Sequence, residues 1–538
     1  MILYNFVDSI TFSCRTAVPL PSKITFPSSS SYFNGVFTTD QVIISHRNTC
    51  CFVAKRSSNS NSIASKLAEE RGGSVANEEP TFDDNKIVDE EVSYKLDWAL
   101  SKLGFGNFQF IMLAYAGLGW IAEAMEMMLL SFVGPAIQPE WGLSSGEESF
   151  ISTATFVGML VGAYVWGVVS DSYGRKKGFL GASIITSVAG LLSAIAPNYT
   201  LLLILRCFIG AGLGCGHVFS SWFLEFVPTP KRGTWMVVFA TFWTVGTIIE
   251  ASLAWSIMPS FGWRWLLGLS TIPSLLMLLF YDQVPESPRY LCTKGKLTEA
   301  RYILEKGATL NRKELPVGRL VSDHINQGDN EYRRSPSLPM LLSPNLIGTT
   351  LPLWCLYFGN TFSYYGIVLL TSQLSILQSE SIQNSSLYTN VFVNSLAELP
   401  GLGLAAIILD KLGRKISMEI MFVAGFFLLL PLVIHQNDIL TTTSLFGARM
   451  FISASFIVAC IYAPEAYPTN IRATGVGIAT AVGRTGGIVC PLVAVGLVSS
   501  CNQTLAVMLF EAMILVSGLC VVLLPLETKG RELTDEVE

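Results

Sequence analysis

Apolar runs about 20 residues long, the length a helix needs to cross a hydrocarbon layer, recur along most of this chain. They begin near Phe108, Phe150, Gly178, Leu201, Trp235 and Trp265, and after a polar gap near Ile347, Tyr388, Met418, Thr442, Thr474 and Leu505. Six runs and then six predict an all-α membrane protein with 12 transmembrane helices. Composition agrees, because 14% charged residues against 51% hydrophobic is far below the roughly one quarter charged of a soluble protein. A net charge of −5 argues against nucleic acid as a partner. The 11 cysteines are scattered without a C-x-x-C, so they read as free thiols, and neither a metal nor a cofactor is expected.

The chain also repeats itself. "DSYGRK" at 171–176 follows the second apolar run, and "DKLGRK" at 410–415 follows the second run of the later half. Arg206 and Glu225 bracket the fourth run, and Arg449 and Glu465 bracket its counterpart. The chain is one six-helix unit written twice. The expected layout is a tail at 1–95, bundles at 96–283 and 346–526, a polar linker with short helices at 284–345 and a second tail at 527–538.

Lys and Arg placement orients the array. Arg175, Lys176, Lys177, Lys231, Arg232, Arg289, Lys294, Lys296, Lys411, Arg414, Lys415 and Arg472 fall on alternate connections, whereas the opposite connections carry Arg264 alone. The basic side and both termini are therefore expected in the cytosol.

These motifs resemble the major facilitator superfamily. The Gly167…Asp171-x-x-Gly174-Arg175-Lys176 loop resembles its signature between helices two and three. "RCFIGAGLGCG", "PESPR" and "PLETKGREL" are similar to its sugar-porter and organic-ion branches, and "AEAMEMMLLSFVGP" to synaptic-vesicle-related, plant organic cation/carnitine and bacterial niacin transporters. The resemblance spans about residues 95–533 and implies two pseudo-symmetric bundles rocking around a central cavity. It also implies a cytosolic gate of Asp171, Gly174, Arg175 and Glu225, repeated as Asp410, Gly413, Arg414 and Glu465, with Arg175 meeting Glu225 and Arg414 meeting Glu465. Gly allows the tight turn and Arg can grip a carboxylate with two donors. The plainer alternative is that these charges only orient the helices during insertion.

Ionisable residues inside the bilayer need a reason, since each costs on the order of 3 kcal/mol to insert. Glu123 and Glu126 stand at i and i+3 on one helix face and suggest a proton-coupling site. Alternatively, Glu123 bonds a neighbouring helix and Glu126 faces the wall between bundles. Arg484, among glycines of the eleventh segment, requires an anion: either an internal one, with Glu398 a candidate, or a substrate carboxylate. By resemblance, anion carriers of the organic-ion branch place an Arg there and cation carriers an Asp. His217 is either a cavity residue or a packing one. Trp222, Trp243, Asn360, Tyr364 and Tyr365 suit an aromatic-polar wall for a flat ring. Glu126 or Glu398 would take an ammonium group. Arg206 and Arg449 read as structural, and Glu250 has no derived role.

No Walker A motif or metal-ligand spacing supports an enzyme. The expected function is secondary active transport of a small organic ion, nicotinate or a similar carboxylate with protons as co-substrate, by a monomer in the bilayer. Carnitine or another organic cation is the alternative substrate, and a transporter-like receptor or vesicle protein is the alternative of another class. The Ser-rich, acid-poor stretch up to Lys66 resembles a plastid transit peptide. Plasma membrane, vacuolar membrane and plastid envelope all stay open as locations.

Overall fold

The computed structural model describes residues 93–228, 232–321, 340–378, 385–434, 437–467, 472–499 and 502–529. The N-terminal tail, its transit-peptide reading and both termini lie outside these residues.

After a short α1 (Leu96–Leu103), the first bundle consists of α2 (Asn107–Trp141), α3 (Ser145–Tyr173), α4 (Arg175–Ala194), α5 (Tyr199–Leu213) continued by α6 (Gly216–Leu224), α7 (Arg232–Phe261), and α8 (Trp263–Ser270) continued by α9 (Ile272–Leu279). The linker contributes α10 (Pro288–Thr293) and α11 (Leu297–Asn311). The second bundle consists of α12 (Ile347–Gln378), α13 (Ser385–Leu396) with α14 (Glu398–Leu412), α15 (Arg414–Leu429), α16 (Asp438–Ala466), α17 (Arg472–Ala494) with α18 (Gly496–Ser499), and α19 (Gln503–Leu523). Two strands of two residues each, β1 (Ser93–Tyr94) and β2 (Arg319–Leu320), pair in parallel beside the linker.

Among the described residues, ten helices are long and apolar enough to cross a membrane. The two other predicted crossings are also helical. One, Trp263–Leu279, is shorter. The other, α12, buries Asn360, Thr361, Ser363, Thr371, Ser372 and Gln373, polar side chains that dilute its hydropathy. Val161, Ile195, Leu279, Ile407, Phe427 and Leu519 are exposed on the outer surface. An apolar exterior of this extent belongs in lipid, and the chain is an integral multi-pass membrane protein.

Close backbone approach explains glycines of the second and fourth runs. A Cβ at Gly158 of α3 would fall 2.0 Å from the Cys207 carbonyl of α5, and one at Gly210 2.0 Å from the Thr155 carbonyl. Small residues let membrane helices pack this tightly. The Gly-x-Ser-x-Gly sequence at 142–146 is a helix start and no nucleophile elbow. Ser144 caps α3 through the Glu147 amide, and Glu147 returns a bond of 2.8 Å to the Ser144 amide. Arg264, the exception to the charge pattern, is held by Glu140 at 2.9 Å and lies over the Trp263 ring.

Candidate functional site

The repeated loops mark one end of the molecule. Gly174 and Gly413 both take positive φ, 108° and 93°, which turns α3 into α4 and α14 into α15 without a side-chain clash. At each turn a glutamate from elsewhere caps the new helix. Glu286 of "PESPR" accepts from the amides of Arg175 (3.0 Å) and Lys176 (3.2 Å). Glu527 of "PLETKGREL" accepts from the amides of Arg414 (2.8 Å) and Lys415 (3.0 Å). Anions belong at helix N-termini, where free N–H groups and the helix dipole both favour them. The two sequence motifs are thus one device used twice, and their capping role was not read from the sequence.

At the same end Arg175 bonds Asp171 and reaches Glu225 at 3.4 Å. Arg414 grips Glu465 with two bonds, 2.8 and 2.9 Å, and Thr528 adds a third at 2.6 Å. Each pair stays within its own bundle. The Asp410 side chain lies outside the described residues.

Deeper in each bundle a carboxylate and a guanidinium are buried together. Glu126 meets Arg206 at 2.9 Å in the first bundle, and Glu398 meets Arg449 at 2.7 Å in the second. Glu398 also accepts from Tyr364 (2.6 Å) and Thr247 (3.3 Å), and the Trp243 indole donates to the Tyr364 hydroxyl at 2.9 Å. Glu250 is buried near Glu126 and Arg206 and takes both oxygens' bonds from Ser270, 2.8 and 2.9 Å. These carboxylates are occupied, so neither Glu126 nor Glu398 stands open to an incoming ammonium group.

Arg484 behaves differently. Its Nη2 contacts Glu123 Oε1 at 2.6 Å across the boundary between bundles, and its side chain is 18% accessible against 4% for Glu123. Tyr365 of α12 lies against the same guanidinium, and the sulfur of Met159 is 3.8 Å away. The other Glu123 oxygen fills the space a Cβ at Gly216 would need, 2.1 Å from it. The internal partner of Arg484 is therefore Glu123 and not the candidate Glu398, which pairs with Arg449. Positions i and i+3 are about 60° apart around a helix, enough to send Glu123 across the bundle boundary and Glu126 into its own bundle, the reverse of the alternative weighed from sequence.

Other expected wall residues separate on the same grounds. Trp222 is fully buried inside the first bundle, edge-on to Tyr115, Phe179 and Phe226. Asn360 is fully buried and donates to Ser455 at 3.1 Å. Trp243, Tyr364 and Tyr365 do lie at the bundle boundary, with Trp120 beside Trp243. His217 is exposed, its Nδ1 3.1 Å from the Gly214 carbonyl, and senses the charges of Arg484, Asp171 and Arg175. Cys460, three turns along α16 from Arg449, is likewise exposed, bonded to Tyr357 and within the field of Arg484. Sequence reading missed it, since a lone Cys carries no pattern.

Contacts between the bundles are unevenly distributed along their length. Among the described residues, hydrogen bonds between the bundles occur at mid-depth, where Trp243, Thr247 and Arg484 act, and toward the end opposite the loops. There Ser131 bonds the Val368 carbonyl, Thr153 the Ile488 carbonyl, and Gln373 the Glu148 carboxylate at 2.8 Å. Phe132 stacks on Tyr388, and Trp255 lies against Phe392. The described contacts thus tie the bundles together at that end, while toward the loops His217 and Cys460 are exposed and the Arg484 side chain stays partly accessible.

The model of the family described as "Sugar (and other) transporter" matches residues 108–537. The chain belongs to the major facilitator superfamily. Among curated major facilitator proteins it is 52% identical to organic cation/carnitine transporter 7 of Arabidopsis thaliana over 489 residues, 84% of this chain and 98% of that one. It is 37% identical to the synaptic vesicle 2-related protein of Bos taurus over 480 residues, 84% and 86% of the two chains. Among solved structures it resembles the xylose transporter XylE from E. coli in a partially occluded inward open conformation, with TM-score 0.63, 19% identity and coverage of 79% and 100%. The major facilitator fold is that of transporters, and this chain is not an enzyme.

Proposed function

We propose that this protein is a secondary active carrier for a small organic ion bearing a carboxylate, with nicotinate as the reference substrate and a proton as its companion. The reading rests on one observation. Among the described residues Arg484 is a partly accessible guanidinium paired across the bundle boundary, whereas Arg206 and Arg449 are fully buried in pairs within single bundles. A guanidinium that can be reached at the bundle boundary suits a ligand whose binding must be felt by both bundles. The aromatic group of Trp120, Trp243, Tyr364 and Tyr365 suits a flat ring above it. The loop end, rich in Lys and Arg, faces the cytosol in this reading.

The 52% identical relative named for organic cations and carnitine favours carnitine as the second reading, since carnitine also presents a carboxylate. A third reading, a vesicle protein that binds without transport, stays open beside the likeness to the synaptic vesicle 2-related protein. Counterflow of labelled nicotinate in proteoliposomes tests the proposal. Wild-type protein should exchange label and Arg484→Ala should not, with both present equally in the vesicles. Undiminished exchange by Arg484→Ala defeats the anion site, and saturable binding without exchange defeats the carrier.

A further inference from the structure

Resting on the reading that Arg484 takes the substrate's carboxylate, we infer that the Arg484–Glu123 pair makes the proton count depend on the charge of the rest of the substrate. A carboxylate can occupy Arg484 only by replacing Glu123, its partner at 2.6 Å. The released Glu123 is then a buried carboxylate without a cation, a strongly disfavoured arrangement. Among the described residues, the groups around it offer no spare positive charge. Glu126, on the same helix, is committed to Arg206. Cys215 and Tyr365 face it from α5–α6 and α12, and Met159 on α3 is uncharged. His217 lies within the field of Arg484, where a second cation would be repelled by the first.

Two species can restore neutrality. One is a proton on Glu123, so an aromatic monocarboxylate enters with one proton. The other is a cationic centre within the substrate itself, so a zwitterion seats one end on Arg484 and the other on Glu123 and needs no proton. Both complexes carry the same net charge as the empty site, and both are electroneutral across the membrane. A simple organic cation cannot do this. Pairing it with Glu123 leaves the Arg484 guanidinium bare, so the site rejects cations lacking a carboxylate.

Three pyridines of nearly one shape test this: nicotinate (anion), N-methylnicotinate (zwitterion) and N-methylnicotinamide (cation). The full chain is placed in proteoliposomes carrying a lumenal pH dye, with membrane potential clamped and protein-free vesicles as control. Expected are saturable nicotinate uptake that acidifies the lumen and rises about tenfold per imposed pH unit, saturable N-methylnicotinate uptake with neither response, and no uptake of or inhibition by N-methylnicotinamide. In Glu123→Gln, the nicotinate response to the pH gradient should disappear and the half-saturating concentration of N-methylnicotinate should rise at least tenfold. Equal proton movement with both carboxylates, or a gradient response that survives Glu123→Gln, overturns this inference while leaving the Arg484 site standing. Saturable uptake of neither carboxylate, or uptake insensitive to Arg484→Ala, overturns the underlying reading instead.

Discussion

Glu148, near the start of α3, accepts a hydrogen bond of 2.8 Å from Gln373 on α12, and so ties the two bundles together at the end opposite the basic loops. Both residues are buried, and the carboxylate packs against Gly134, where a Cβ would come within 3.0 Å of it. A bond in this position must break for the carrier to open at that end. Gln373→Ala should therefore weaken the closed end by about 1–2 kcal/mol, a shift of about tenfold in the balance between the two openings. The rate at which a membrane-impermeant thiol reagent modifies a cysteine placed at Thr153, in a background without native cysteines, should rise accordingly. An unchanged rate removes the bond from the gating argument.

The two helix caps should respond to acid in opposite directions. Burial pushes the Glu527 carboxyl up, but bonds from the amides of Arg414, Lys415, Lys529 and Thr528 outweigh it and hold the carboxyl below its ordinary value. Burial dominates at Glu286 and raises it, despite the amides of Ser287, Lys176 and Arg175. A depressed carboxyl contributes stability above its unfolded value, lost as pH falls through the folded one. A raised carboxyl does the reverse, and its contribution is present below the unfolded value and lost as pH rises through the folded one. Glu527→Gln should thus flatten the loss of thermal stability on acidification, and Glu286→Gln should flatten the loss on moving from acid toward neutral pH. Melting curves of both variants across that range check the signs.

Breaking a buried pair leaves a bare charge. Arg449→Ala strands Glu398 beside Tyr364 and Thr247, and should cost about 3–5 kcal/mol. The double replacement Glu398→Gln with Arg449→Met should recover much of that loss. Thermal unfolding in detergent measures both, and equal destabilisation by the single and double variants contradicts the pairing.

Backbone approach between α3 and α5 leaves no room for a methyl group. Gly158→Ala places its Cβ 2.0 Å from the Cys207 carbonyl and should lower the yield of folded protein sharply. Gly403→Ala, with nothing within 4 Å of the added atom, should not. Size-exclusion profiles of the two variants distinguish them.

Much of this architecture was legible because lipid imposes a coarse rule: apolar runs become helices, and basic loops mark one side. The repeat was legible for a similar reason, since Gly174 and Gly413 occupy turns that need positive φ. Interior detail was not. The break between α5 and α6 falls within a run of glycines, and that between α13 and α14 just before Glu398, where composition shows no stop. Arg484 announced itself as a buried charge, yet its partner did not, because a 60° turn separates Glu123 from Glu126 and only packing decides which side faces the other bundle. Trp222 failed as a wall residue for the same reason: an aromatic residue on a core helix gives no sign of which cavity, if any, it borders. Glu286 and Glu527 sit far in sequence from the turns they cap, and local reading has no access to such contacts.

In a carrier of this kind one cavity opens at each end in turn. The most direct measurement joins cysteines at positions 148 and 373 with a short reducible cross-linker, in a background without other cysteines save Cys460, and follows counterflow before and after reduction. The account predicts that cross-linked protein stops exchanging substrate, that a thiol reagent still reaches Cys460 from the side of the basic loops, and that reduction restores exchange. Continued exchange while the cross-link is intact would contradict it.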